Sequence, residues 1–529
     1  MTRVAPAGVH SIAPARLALT LDRSSGRRYP LARQLADELR RRVQAGSLGM
    51  GDRLPPVRDL AQALEVTPET VAVAYKRLTA EGYLRAEVGR GTFVAAPPLR
   101  AEEDPLAPFQ AGGALPPFAA SASAGAPAAQ RDLLRLASRP GLVSFAASVA
   151  AFELAPVEAL RQALADVLSE EGPGALQVGP TEGFAPLREA LAALLHQRGI
   201  VADASTVCVT SGCQQGIDLA AKVFVGTGDA VLVEQPSFLG ALEVFRARGA
   251  RVIGVPVDAD GLRVEALTAL IQRYRPKLLY CMPTYQNPTG RTLGAEKRRH
   301  LLRLAAAQDL PIVEDDSAGF FPLEPEEPPP PSLKSDDQAG NVIHLGTFSK
   351  LVAAGLRLGW LVASPPVFEK LVAAKYASDL SSDALLQRAL HRLLSLGILA
   401  QHLENARAEY RRRRDSLVGE LERAGTLPPG TTFDVPLGGF NLWLELPPDG
   451  PSSTDLYLEA IRRGVAFVPG PFFFAAGEGA SSSLAVRGLR LCYSPLGISQ
   501  IAYGVRLLSE AIHALRKTSI VSVPQPVVY

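Results

Sequence analysis

The sequence predicts an α/β protein: a small Arg-rich helical head with a β-hairpin, then a much larger part built on a mostly parallel sheet. Three observations carry this. Between residues 133 and 514, short apolar runs end abruptly in polar or Gly residues, with amphipathic helical patterns between most of them. Over residues 17–94 the apolar spacing is helical until a Gly-rich turn and a short strand close the segment. Between these blocks, residues 95–130 are Ala, Pro, Gly and Ser with little periodicity, a composition that cannot bury a core and reads as a linker.

Length and composition set the frame. A chain of 529 residues, 47% hydrophobic and 20% charged, is expected to form two or three soluble domains. No apolar run is long enough to span a membrane, and residues 1–20 lack the apolar core of a secretory signal. Cys208, Cys213, Cys281 and Cys492 show no metal-ligand spacing and read as reduced thiols of a cytoplasmic protein. The net charge of +2 hides an asymmetry: residues 1–100 hold 16 Lys or Arg against 9 Asp or Glu. Such a front end suits a polyanion, although a basic solvated surface has the same charge.

Within the head, residues 29–43 place Leu31, Leu35, Leu39 and Val43 four apart, one stripe of a helix, with Gly46 and Gly49 at its end. Residues 56–64 form a second short helix, with Val57, Leu60 and Leu64 on one face. Thr67 then reads as an N-cap and Pro68 as the first position of a third helix, whose buried face is Val71, Ala74, Tyr75 and Leu78. After Gly82-Tyr83-Leu84, a turn at Gly89-Arg90-Gly91 leads into the strand Thr92-Phe93-Val94. Three short helices and a hairpin make a winged helix-turn-helix. Its third helix would bring Thr67, Glu69 and Thr70 to base edges. Arg53, Arg58, Lys76 and Arg77 are candidates for phosphate contacts, and Arg90 for a minor groove.

The text of residues 51–94, GDRLPPVRDLAQALEVTPETVAVAYKRLTAEGYLRAEVGRGTFV, resembles the GntR family of bacterial regulators. Two positions depart from it. Pro56 stands where the family often has Ser, and Pro68 where it often has a DNA-contacting Arg. Pro68 offers neither a polar side chain nor an N–H to phosphate.

In the large part, the apolar runs at 207–210, 230–233, 278–282, 311–313 and 342–345 each end in a polar cluster. Parallel sheets bind ligands beyond the carboxyl ends of their strands, so these clusters are expected to meet in one cleft. Their chemistry suits pyridoxal phosphate (PLP). Ser211-Gly212-Cys213 offers backbone N–H groups to a phosphate, and Phe238 an aromatic face to a ring. Asp315 can keep a pyridine nitrogen protonated, Asn287 can donate to a phenolate oxygen, and Lys350 can form a Schiff base. A lone Lys is usually a surface charge and a lone Asp usually a cap; together and in this order they carry weight.

That order resembles fold-type I PLP enzymes, the class I aminotransferases, over residues 143–514, most specifically in LGTFSKLVAAGLRLGW at 345–360. Joined to the head, it resembles the MocR subgroup of GntR regulators. The resemblance implies domains at 17–94 and 133–514, the latter with a smaller C-terminal α+β subdomain, and leaves a tail at 515–529. It makes Lys350 the Schiff-base lysine and gives Thr347 and Arg357 the cofactor phosphate. Ser211, Gly212, Cys213 and Gln214 take the phosphate loop, Asn287 and Asp315 the ring, and Arg490 a ligand carboxylate. A surface ion pair is the plain alternative for Arg490.

The sequence departs from the aminotransferase pattern around the site itself. Ser317 and Ala318 stand where a Tyr usually donates to the phenolate, and Val178 where a Tyr reaches the neighbouring subunit's phosphate. The substrate-side segment is blurred to Ala147-Ser148-Val149-Ala150; Phe238 replaces a Tyr and Ala354 a Pro. Each lost hydrogen bond costs about 0.5–3 kcal/mol, which weakens cofactor binding without abolishing it. The expectation is a DNA-binding regulator that keeps PLP and senses an amine, an amino acid or PLP itself, with little or no transamination. An active aminotransferase with a DNA-binding head and a cofactor-free scaffold remain as alternatives. The resemblance further implies a homodimer in which each head sits over the partner's large domain.

Overall fold

The computed structural model describes residues 30–44, 48, 51–87, 90–95, 137, 139, 141–423, 425–475 and 482–521. The expected start of the head, Gly46, Gly49 and Gly89, nearly all of the linker, the beginning of the large part at 133 and the last residues of the tail lie outside these.

In the head, α1 (Leu31–Gln44), α2 (Val57–Ala63) and α3 (Pro68–Ala80) precede a hairpin of β1 (Leu84–Glu87) and β2 (Gly91–Val94). Thr67 caps α3 by accepting from Thr70 N at 3.3 Å, and Pro68 occupies the first turn, where its missing N–H costs nothing. Leu35 and Leu39 from α1, Leu60 from α2, and Val71, Ala74, Tyr75 and Leu78 from α3 form one buried core. Of the expected α1 stripe, Leu31 and Val43 are only half-buried. Tyr75 reaches through that core and donates to Pro55 O at 2.9 Å, fixing the turn before α2. The chain at 51–54 also pairs with β2, with Leu54 N donating to Thr92 O at 2.9 Å.

After a short β3 (Val143–Ser144), the large part is organised by one eight-stranded sheet. Its strands are β4 (Val207–Thr210), β5 (Ala230–Gln235), β6 (Arg251–Asp258), β7 (Gly261–Leu262), β8 (Leu278–Cys281), β9 (Ile312–Asp315), β10 (Val342–Thr347) and β11 (Gly359–Val362). The spatial order is β4-β11-β10-β9-β8-β5-β6-β7. Strands β6, β5, β8, β9 and β10 run parallel, while β11 runs antiparallel between β10 and β4. Helices cover both faces, which is why β4, β8, β9, β10 and β11 are buried throughout, including the Glu314 and Asp315 that end β9 and His344 in β10. All five expected runs are strands. The sequence reading did not include β6 or β11.

A second sheet follows, made of β12 (Thr432–Phe433), β13 (Asn441–Glu445), β15 (Val468–Pro469) and β16 (Gly488–Cys492) in the order β12-β13-β16-β15. The intervening β14 (Val465–Ala466) pairs in parallel with β3. That pairing, with Cys492 N donating to Phe145 O at 2.9 Å, lays the stretch from 143 onward against the C-terminal part of the chain. The last helix, Ile498–Val521, runs past the end expected at 514.

Leu39 has 0% exposure in the head core. Leu39→Ala is expected to destabilise the head by about 2–5 kcal/mol, a lost side chain plus its cavity. Thermal unfolding and loss of DNA retention by the same variant would check this.

Candidate functional site

Five separate stretches of sequence meet at the carboxyl ends of the parallel strands. The short helix Phe348–Leu351 opens at the end of β10, where Thr347 Oγ1 accepts from Ser349 N at 3.1 Å. This cap aims Lys350 into the cleft. Its Nζ donates to Ser148 O and lies 5.3 Å from the Phe440 ring centroid. Burial, with a contribution from the Arg490 charge, brings the Lys350 amine down to about 8, against the opposing pull of Cys492 and Asp315. A lysine so placed carries a sizeable share of free, nucleophilic amine near neutral pH.

The acids Glu314, Asp315 and Asp316 end β9, and all three are buried. Glu314 is taken by Ser332 Oγ at 2.5 Å and Leu333 N at 2.7 Å, and Asp316 by the Arg198 guanidinium at 2.8 Å. Asp315 instead accepts from Tyr280 Oη at 2.9 Å and Ser317 N at 3.2 Å, and also faces the Cys213 thiol. Burial raises its carboxyl above the ordinary range, and these donors oppose the rise.

A concave cradle forms beside it. Gly212 has φ +87°, and a Cβ there would lie 3.4 Å from Arg357 Nη2 and 3.6 Å from Thr347 Oγ1. Its bare Cα opens the helix Cys213–Phe224, whose first N–H groups suit an anion. Arg357 is oriented by Ser349, donating from Nη1 to Ser349 Oγ at 3.0 Å. The neighbouring Ser211 N donates to Gln215 Oε1 at 2.7 Å, and Gln214 Nε2 donates to Gly240 O at 2.9 Å. Phe238 packs against the core cluster that contains Cys213 and Tyr280. A Cβ at Gly240 would come within 2.6 Å of the Phe238 ring, so the ring's position depends on that glycine.

Arg490 lies on β16 and is only 6% exposed, which removes the surface ion-pair alternative. It donates from Nη1 to Asn287 Oδ1 at 2.9 Å and from Nη2 to Ala146 O, and sits 5.1 Å from the Phe473 ring centroid. Among the described residues its Nε has no partner and no carboxylate pairs with it. Burial pulls this guanidinium down to about 10. Because Asn287 Oδ1 is occupied by Arg490, the Asn287 amide nitrogen is left free to donate. A buried cation facing only neutral acceptors is a site for an anion.

The sequence-named residues Ser211, Gly212, Cys213, Gln214, Phe238, Asn287, Asp315, Thr347, Lys350, Arg357 and Arg490 thus line or adjoin one cleft. Two contributors escaped the sequence reading. Ser349 lies inside the quoted TFSK text; Tyr280, in LLYC, reads as core. In the departing positions, Ala318 is buried in the core and Val178 is 81% exposed. In the head, Thr67 and Glu69 are exposed and Thr70 half-buried, with the Thr67 and Thr70 hydroxyls 2.9 Å apart. Arg58 and Lys76 are exposed, whereas Arg77 pairs with Glu81 at 2.8 Å and Arg90 with Glu87 at 3.3 Å. Arg53 is half-buried, with its guanidinium beside Gly91 at the wing.

A cradle for phosphate, a buried acid, a free amide donor, an aromatic face and a free amine together fit a phosphorylated, aldehyde-bearing pyridine. Comparison with known proteins agrees with this chemistry. Residues 141–502 match the family of class I and II aminotransferases, and residues 31–94 match the gntR family of bacterial regulatory proteins. The chain is 40% identical to a 2-aminoadipate transaminase of Thermus thermophilus, over 73% of this chain and 94% of that protein. It is 32% identical to the HTH-type transcriptional regulator TauR of Rhodobacter capsulatus, over 89% of this chain and 94% of the relative. It superposes on LysN, the Thermus thermophilus α-aminoadipate aminotransferase crystallised with N-(5'-phosphopyridoxyl)-L-leucine. There the TM-score is 0.68 and the identity 36%, covering 75% of this chain and 98% of LysN.

Glu234, at the end of β5, ties the cleft loops together by accepting from Met282 N at 2.9 Å and Gln286 Nε2 at 3.2 Å. Burial lifts its carboxyl from the ordinary 4.5 to about 7, against the pull of those two donors. The folded state therefore binds this proton more tightly than the unfolded state. Its contribution makes stability fall as pH rises from about 4.5 to about 7 and stay level above. Glu234→Gln is expected to flatten that fall, read as denaturant midpoints at pH 5, just inside the lower end of that window, and at pH 8, about a unit above its upper end. An unchanged slope would contradict the assignment.

Proposed function

Because the chain belongs to the class I and II aminotransferase family and carries a gntR-family head, we propose that it is a DNA-binding regulator of the MocR type whose large domain is a receptor. On this reading the large domain holds PLP at Lys350 and responds to an amine, an amino acid or PLP itself. The observation that carries it is the pair of cations, the half-buried Lys350 and the buried Arg490, facing backbone carbonyls and an amide rather than acids. Beside them lies the concave cradle of Gly212, Thr347 and Arg357.

When bound, the cofactor supplies an aldehyde for an amine to condense with and a ring that draws electrons from that amine. The chain's own groups do the rest. N–H groups at Gly212 and Cys213, with Thr347, Ser349 and Arg357, bind the phosphate; Ser211 and Gln214 shape the loop. Asp315 holds a proton at the ring nitrogen, the Asn287 amide donates to the ring oxygen, and Phe238 covers the ring face. Lys350 presents its free amine, and Arg490 exchanges its bond to Ala146 O for a bidentate grip on an effector carboxylate.

Effector binding thus takes donors away from Ala146 and Ser148, in the segment that follows the linker to the head. A shift of this segment changes how the head is presented, provided the effector prefers one arrangement. Thr67, Glu69 and Thr70 read bases, Arg53, Arg58, Lys76 and Arg77 meet phosphates, and Arg90 serves the wing. On this reading the two domains run over residues 17–94 and 133–514. Exposed apolar side chains at Phe152, Val157, Leu176 and Val178 support a homodimer, with each head over the partner's large domain. Among the described residues no helix is long and apolar enough to cross a membrane, and a cytoplasmic location accords with the four free cysteines.

The likeness to a transaminase favours a second reading, an enzyme with a DNA-binding head. Sustained keto-acid production from amino acids by the purified chain would establish it over the receptor.

Borohydride treatment of the PLP-loaded chain is expected to mark Lys350 in a peptide mass map, and Lys350→Ala to abolish the visible absorbance. The rate at which the chain without cofactor takes up PLP should rise as pH passes upward through about 8, where the Lys350 amine loses its proton. Arg58→Ala and Lys76→Ala should each reduce the salt slope of DNA binding by roughly one unit. Parent-like binding by both would contradict the head's assigned contacts.

A further inference from the structure

Among the described residues, Tyr280 is the one aromatic hydroxyl hydrogen-bonded to Asp315. It lies on β8 at 0% exposure and donates to Asp315 Oδ2 at 2.9 Å. Its ring is held edge-on to Phe245, with centroids 6.1 Å apart, so the hydroxyl is fixed rather than swinging. Burial, then the Asp315 charge, holds the Tyr280 phenol well above its usual range, and it stays a donor at every working pH.

We infer that Tyr280 is a positioning residue that keeps Asp315 an anion, and so keeps the positive charge on a PLP ring nitrogen held by Asp315. This rests on the PLP reading above. A carboxylate buried at 2% exposure favours its neutral form, and a neutral Asp315 cannot stabilise a protonated ring. The groups that act on Asp315 come from each packed element: Tyr280 from β8, Ser317 from its own turn, the Cys213 thiol from the phosphate helix, and the charges of Glu234 and Lys350. Glu234 and the Cys213 thiol do not donate a fixed, strong hydrogen bond of this kind; the phenol does. Without it the proton shared between ring and acid moves to Asp315, and the ring withdraws fewer electrons from the amine at Lys350. The site thereby has a control on cofactor electronics that lies outside the groups touching the cofactor.

The test uses the full chain loaded with PLP. The pH midpoint of the visible band is measured for the parent and for Tyr280→Phe, alongside the nitrogen NMR shift of 15N-labelled PLP. Tyr280→Phe is expected to raise the midpoint by about one pH unit and move the ring nitrogen toward its unprotonated shift. Should Tyr280→Phe not fold, fluorotyrosine at position 280, a stronger donor of nearly the same shape, should move the midpoint the other way. A merely structural role lowers the melting temperature and leaves midpoint and nitrogen shift where they were, which overturns the inference. A parent chain with no visible band after PLP addition overturns the PLP reading itself, and this inference with it.

Discussion

Everything at the cleft depends on how the fold bears the burial of charge at one edge of its parallel sheet. Asp315 and Arg490 are withdrawn from water and Lys350 partly so, and none of them is given an opposite charge as its direct partner. Instead each is met by a fixed dipole: a phenol, an amide oxygen or a backbone carbonyl. Neutral partners offset only part of the desolvation of an ion, so such a site is costly to maintain. The remaining imbalance is what favours a charged ligand. A carboxylate in place of Ala146 O gives Arg490 a charge-assisted bond that a carbonyl cannot match.

The neutral partners are not scattered. Ala146 O and Ser148 O belong to a single segment, which is further held by Ser494 Oγ donating to Val149 O at 2.5 Å and by Ala151 N donating to Tyr410 Oη at 3.0 Å. The β3–β14 pairing fixes its beginning. One stretch of backbone therefore accepts from both cations, and it lies on the linker side of the large part in sequence. On the proposed receptor reading, sensing and signalling share this element.

The architecture was legible in the sequence wherever local pattern and burial coincide. Thr67 and Pro68 announce α3, and apolar runs ending in polar clusters mark β4, β5, β8, β9 and β10. The site residues were legible through their order along the chain. What escaped has a physical reason. Strand β6 shows no clean alternation, with Arg251 and Pro256 exposed among partly buried residues, and β11 begins within the lysine motif, with no break before it. Nothing in GLRLCY distinguishes a buried arginine from an exposed one; only the fold places Arg490 at 6% exposure. Likewise Tyr280 in an apolar run has no local mark of its hydrogen bond to Asp315, since the two meet across neighbouring strands.

The fate of the space around Ala318 bears on what the cleft does. Tyr285, with φ +50°, lies across the backbone of Gly438 and Gly439, close to Ala318; a Cβ on Gly438 would sit 2.2 Å from its ring. This aromatic fills the volume, yet its hydroxyl has no hydrogen-bond partner among the described residues, and its charged neighbours are Arg198, Asp316 and Arg407 rather than Lys350. Packing has been preserved while a donor to the cofactor has not. The same separation appears at Val178, where an exposed apolar side chain replaces a phenol. Buried charges are the expensive part of such a site, and they are all present; the absent parts are hydroxyls, each of which adds modest binding. Selection for holding a ligand retains the first and tolerates loss of the second, whereas selection for rapid proton transfer would need both.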